Sequence, residues 1–170
     1  MGTAASVKMG VCNITFNSTD LGYTKGAVSV SYQAETVEKT VDQEDAPIGE
    51  IVTKQTCEVK VPMAEHDLAL LENLIPGATL TVDGVDSDKK KLVISGASGV
   101  DLTDSAAELV VHPTDEGTLK TFDVVLHHAV PVPEIEFSYE KENQRIFEVT
   151  FKALKGVNGF VTFGDPDAAA

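Results

Sequence analysis

Tryptophan is missing from this chain, and only three tyrosines and seven phenylalanines occur among its 170 residues. A core built on large rings is therefore not expected, and the aromatic platform on which a carbohydrate- or peptide-binding module stacks its ligand is poorly supplied. Basic residues are also scarce: 13 Lys and Arg stand against 27 Asp and Glu, a formal charge of −14. A protein that gains affinity by neutralising phosphates needs the opposite balance. Such an excess of acid also serves solubility alone.

Cysteine occurs twice. Cys12 and Cys57 fall in two separate predicted strands without metal-type spacing and read as buried free thiols. No run of about 18 apolar residues exists, and the N-terminal MGTAASVKMGVCNITF lacks the continuous apolar core of a secretory signal. The expectation is a protein kept in the cytosol, where the sequons at Asn13 and Asn17 carry no glycan. A Gly-rich phosphate loop, a nucleophile elbow, a Cys/His dyad and zinc spacing are all missing. No catalysis and no cofactor or metal are expected.

What the chain does contain is Val, Thr, Ile and Ala in alternating patterns. Cys12, Ile14 and Phe16 share one face of a first strand that the Asp20-Leu21-Gly22 turn ends. From Ala27 to Lys39 the alternation resumes, with Val28, Val30, Tyr32 and Ala34 opposed to Ser29, Ser31, Gln33 and Glu35. At 3.3 Å per residue that run extends to roughly 40 Å, and its end projects beyond the body. The partner runs from Glu50 to Val61, making a long hairpin with a projecting loop at about 38–50. Between Glu35 and Glu50 six acids face a single base, Lys39. A disordered loop is the simplest reading of such charge, but Val41 and the tip Ala46-Pro47-Ile48 are apolar enough to dock on something.

One helix is predicted in PMAEHDLALLENLIPGA, with Pro62 in its first turn, Glu65 and Asp67 at its positive end and Pro76-Gly77 stopping it. Its apolar face is Ala64, Leu68, Leu71 and Ile75, widened by Leu74. Further strands are expected at Thr79–Val82, Lys91–Ser95, Glu108–Val111, Thr118–His127, Glu134–Tyr139 (past a break at Pro131-Val132-Pro133), Arg145–Ala153 and around Gly159–Phe163. His66 is placed on the polar face of the helix, and His127 and His128 on opposite faces of a strand. Asp83, Asp86 and Asp88 read as a solvated hairpin turn, since the spacing of a calcium loop is lacking and lysines follow. The sum is a mainly β single domain over residues 1–170, a β-sandwich or partly open barrel of about eight or nine strands with one flanking α-helix.

The stretch Leu21-Gly22-Tyr23-Thr24-Lys25-Gly26, leading into an alternating strand and followed by Thr40-Val41-Asp42-Gln43 and a Pro-Ile-Gly-Glu-Ile return, resembles the major tail tube proteins of long-tailed bacteriophages. The resemblance is strongest from about residue 10 to residue 80 and continues as an order of strands to the end. It implies a β-sandwich subunit of tail-tube type, six copies to a ring, and rings stacked into a hollow tube through which the genome leaves. The implied partners are other copies of the chain, the tail initiation, tape measure and tail terminator proteins, and DNA passing without specific binding. The implied location is the virion tail, assembled in the bacterial cytoplasm, with no membrane contact.

Under this resemblance the acidity gains a use, because a conduit that presents like charge lets DNA slide. Screening confines that repulsion to roughly 8–10 Å, so only acids facing the lumen act. The candidates are the acids at polar positions of alternating strands: Glu58, Asp123, Glu134, Glu136 and Glu148. The loop residues Asp42, Gln43, Glu44, Asp45, Ala46, Pro47 and Ile48 are the candidates for contact between subunits or rings. Other readings are a tube protein of a contractile tail or type VI secretion system, and, from a different class, a monomeric β-sandwich binding module.

Overall fold

The computed structural model describes residues 10–136, 139, 141 and 144–168. Strand β1 (Cys12–Phe16) turns back into the two-residue β2 (Thr19–Asp20). The turn is Asn17-Ser18, with φ of 50° and 61°; two positive φ angles make a type I′ hairpin, whose twist matches that of the strands it joins. The reversal therefore comes earlier than Asp20-Leu21-Gly22, and the asparagine at its first position was the signal.

Strands β3 (Ser29–Lys39) and β4 (Gly49–Met63) form the long hairpin, paired from Ser29↔Lys60 to Lys39↔Gly49 with a bulge between Glu35 and Thr36. Helix α1 (Leu68–Leu74) follows, then β5 (Ala78–Val82) and β6 (Lys90–Ile94), a separate two-stranded sheet. After a single 3-10 turn at Leu102–Ser105 come β7 (Ala107–Pro113), β8 (Val124–Glu134), β9 (Phe147–Ala153) and β10 (Val161–Phe163). The main antiparallel sheet has the order β2-β1-β7-β8-β9-β4-β3, with β10 also on β8.

That sheet curls without closing. β1 and β9 are separated by two strands, yet the rings of Phe16 and Phe151 lie 5.1 Å apart across the interior. The segment after β2 crosses the gap: Leu21 N–H donates to Ile14 O, whereas Lys25 N–H donates to Pro62 O at the far end of the sheet. Inside this partly open barrel pack Ile14, Phe16, Leu21, Val59, Val61, Met63, Leu109, Leu126, Phe147, Val149 and Phe151. Apolar residues alternate inward along β1, β7, β9 and the inner part of β4, as a half-buried pleated surface requires.

Several expected elements lie elsewhere. Pro62 sits in β4, paired with Glu148, and the helix begins only after Asp67, whose carboxylate accepts the Ala69 N–H at 3.1 Å. An aspartate cap outweighs a proline that an extended ladder already holds. Leu74 and Ile75 are buried beneath this short helix, Leu70 and Leu71 pack on the core, and Ala64 and Glu65 precede it. His66 precedes it too, its Nε2 2.9 Å from Arg145 O. Glu72 accepts the Leu80 N–H at 2.8 Å and ties the helix to β5.

Pro131-Val132-Pro133 does not break β8. β7 pairs with β8 only as far as Ala129, so beyond it Pro131 and Pro133 pair with β9 alone, and no β7 ladder there calls for the donors they lack. The strand expected from Thr118 begins only at Val124, and of the strand expected from Glu134 to Tyr139 only Glu134 lies in a strand, as the last residue of β8; Ile135, Glu136 and Tyr139 are outside any strand, and residues 137 and 138 are outside the described set. The aspartate-rich turn between β5 and β6 is solvated. Asp83 accepts the N–H groups of Val85 and Asp86, which hold its carboxyl below the usual range. Cys12 and Cys57 are both free thiols, Cys57 fully inside and Cys12 half-buried. No helix among the described residues is long and apolar enough to cross a membrane.

Candidate functional site

No residue from Gly22 to Thr56 is buried, and all 11 residues of β3 are exposed. β4 pairs with β9 only from Glu58 onward, so the outer part of the β3–β4 hairpin stands away from the barrel with both faces in solvent. It carries apolar side chains there: Val37 is 57% exposed, Ile51 49% and Ile48, at the tip, 60%. Val37 and Ile51 are directly paired and share a face. The outer edge of β3, beside which no strand lies among the described residues, adds a row of backbone groups. Asp42, Gln43, Glu44, Asp45, Ala46, Pro47 and Ile48 lie in the connecting loop at the far end, all exposed.

The acids proposed for a lumen divide into three groups. Glu58 and Glu148 stand on the outer face of the sheet, since their ladder partners alternate with the buried Val59, Val61 and Val149. Glu134 is paired directly with Glu148 and shares that face. Glu136 follows β8, and with Glu134, Glu148, Pro62 and Ile146 it lines one shallow groove. Lysines interleave with these acids: Lys152 lies 3.7 Å from Glu58, Lys60 lies 3.7 Å from Glu148, and Lys54 lies 3.1 Å from Glu35. These exposed pairs contribute little stability but offset much of the face's charge. The net acid is concentrated at Glu134 and Glu136.

Asp123 does not belong with them. It is 4% exposed, just before β8, with Oδ1 2.6 Å from His112 Nδ1. The other ring nitrogen of His112 lies 3.0 Å from Gly117 O. Both partners are acceptors, an arrangement that favours the charged form of the ring. The Asp123 hydrogen bond, then the Gly117 carbonyl, push the His112 pKa above its ordinary 6.5. The pair clamps the β7–β8 connection, and a buried carboxylate cannot present charge to a channel. An isolated polar letter before an apolar run looks the same in sequence whether it faces water or an internal partner. His127 and His128 do not take the opposite faces expected of strand neighbours: they form a bulge of β8 between Leu126, paired with Leu109, and Ala129, paired with Ala107, and both of those flanking residues belong to the core. His127 Nε2 lies 2.7 Å from Thr162 Oγ1. Among the described residues no group of three or more His, Cys, Asp or Glu could hold a metal ion.

At the foot of the arm is a feature the sequence did not disclose, an open groove of about 940 Å³ lined in part by Tyr23, Lys25, Glu65, His66, Tyr139 and Arg145. Gly22 shapes it. Its φ is +75°, and a Cβ there would run into the Glu65 carboxylate, which accepts the Tyr23 N–H at 3.3 Å. Gly22→Ala should cost about 1–3 kcal/mol through the left-handed backbone and the loss of that bond. Urea denaturation checks this, and an unchanged midpoint would contradict the role given to Gly22.

Set beside known proteins, the chain matches no protein-family model, and no curated protein matches it.

Proposed function

We propose that the protein is the subunit of a hollow tube, the major tail tube protein of a long-tailed bacteriophage, and that its role is structural rather than catalytic. The observation that carries this reading is the β3–β4 arm. A two-stranded ribbon with solvent on both faces is marginal by itself. This one also exposes Val37, Ile48 and Ile51 and leaves the edge of β3 without a neighbouring strand among the described residues. Natural proteins blunt or cover such edges. Pairing with another copy supplies the cover, and repetition around a ring leaves no edge open.

The acidic balance supports the same reading. At −14 the chain repels nucleic acid in transit, and the groove of Glu134, Glu136 and Glu148 is the surface best suited to face it. The partners on this reading are copies of the chain, the tail initiation, tape measure and tail terminator proteins, and DNA held by no specific contact, within a virion tail assembled in the host cytoplasm.

Electron microscopy of the purified protein over a concentration series, with solution mass measured alongside, tests the proposal. Rings or hollow tubes are expected. A monomer at every concentration, even with tail-initiation partners added, would overturn it.

A further inference from the structure

The two ends of the arm differ in chemistry. The tip, between the last ladder pair Lys39↔Gly49, carries Asp42, Glu44 and Asp45 followed by Ala46-Pro47-Ile48. The foot, where Thr24 bridges Met63, opens into the groove lined by Tyr23, Lys25 and Arg145. Arg145 is the only arginine of the chain, and its guanidinium lies over the Tyr139 ring at 5.1 Å. Tyr23 is 78% exposed beside it. Among the described residues the acid lining this part of the groove is Glu65, which is turned onto the Tyr23 backbone. In a strongly acidic protein, two cations and an exposed ring gathered in one concave place form a local exception.

We propose that this groove receives the arm tip of a second copy of the chain, Lys25 and Arg145 meeting Asp42, Glu44 and Asp45 while Pro47 and Ile48 lie against the Tyr23 ring. The inference rests on reading the arm as an assembly element. The tip cannot reach its own groove: the ladder from Ser29 to Lys39 holds the two apart by roughly 35 Å. Donor and acceptor therefore sit at opposite ends of one stiff ribbon, and their contact is head-to-tail. Such a contact does not pair two copies and stop; it propagates, into a closed ring or a stack according to the rotation between copies. Charge across the contact also rejects wrong pairings, because tip repels tip.

A charge exchange tests the pairing in the full-length chain. One variant carries Lys25→Glu with Arg145→Glu in the groove; the other carries Asp42→Lys, Glu44→Lys and Asp45→Lys in the tip. Sedimentation velocity should show each alone requiring about 100-fold more protein than the wild type to associate. An equimolar mixture should associate again, since every groove then finds a tip of opposite sign. Association of the groove variant at wild-type concentrations would overturn the proposal, as would a mixture of two folded variants that stays dispersed.

The two readings fail separately. If the wild type associates and the groove variant does so equally well, the groove falls while the tube remains. If the wild type never associates, the tube reading falls, and a peptide of residues 39–49 titrated onto the tip variant still reads the groove. Saturable binding lost on adding Lys25→Glu and Arg145→Glu supports it, and no binding overturns it.

Discussion

His112→Ala should destabilise the subunit by about 3–5 kcal/mol, the usual cost of removing one partner from a buried charged pair. The residue left behind decides the size. Asp123 is 4% exposed, and His112 is the only side chain within hydrogen-bond distance of its carboxylate among the described residues. Without the ring, the buried carboxylate is left with no side-chain partner among the described residues. Asp123→Asn should cost less, about 1–3 kcal/mol, because the amide oxygen still accepts from Nδ1 and no charge is stranded.

The pair also sets a pH dependence. The folded-state pKa of His112 is raised, first by Asp123 and then by the Gly117 carbonyl, with Glu116 adding to it; on the β1 side its neighbour is the neutral Asn13, and Lys120 lies on the Asp123 side. A raised histidine stabilises fully below its unfolded value of about 6.5 and loses that contribution as pH climbs through the higher folded value. Urea denaturation of the wild type should therefore show this increment at pH 6 and its decline toward pH 9. The His112→Ala profile should lack that decline, and parallel profiles would contradict the assignment.

Deleting Asp42–Ile48 and joining the strands by a two-residue Asn-Gly turn should leave the subunit folded and abolish tube growth. No residue between Gly22 and Thr56 is buried, and Asp42–Ile48 are all exposed and outside the core cluster, so the unfolding free energy should change by less than about 1 kcal/mol, as for other surface changes. Assembly loses the whole acidic tip and the apolar Ile48. Denaturation curves combined with electron microscopy separate the two effects. Normal tubes from the shortened chain would remove the loop from assembly, and a collapse in stability would mean that the arm belongs to the fold.

Much of the architecture could be read from local pattern. Where alternation was strict, as in β1, the strand and its inward face emerged together, because a period of two admits one buried face. The long hairpin was legible for the same reason, and its exposed end followed from length alone. The helix was legible as an apolar stripe, although its start was not: Pro62 suits both a first helical turn and an outer strand, and only the ladder with β9 decides between them.

The acidic balance, the β class and the projecting arm were thus determined by the order and kind of residues, through propensities acting over a few neighbours. Tertiary structure alone decided that Asp123 turns inward to His112, that Pro131 and Pro133 fall where β7 has ended, and that the lysines of the outer face stand among Glu58 and Glu148. It alone brought Tyr23 and Lys25 beside Arg145, residues more than a hundred positions apart. The physical reason is common to all of these. Which strand lies beside which is settled by closing one core among distant segments, and the partner of a polar side chain is known only once that closure has occurred.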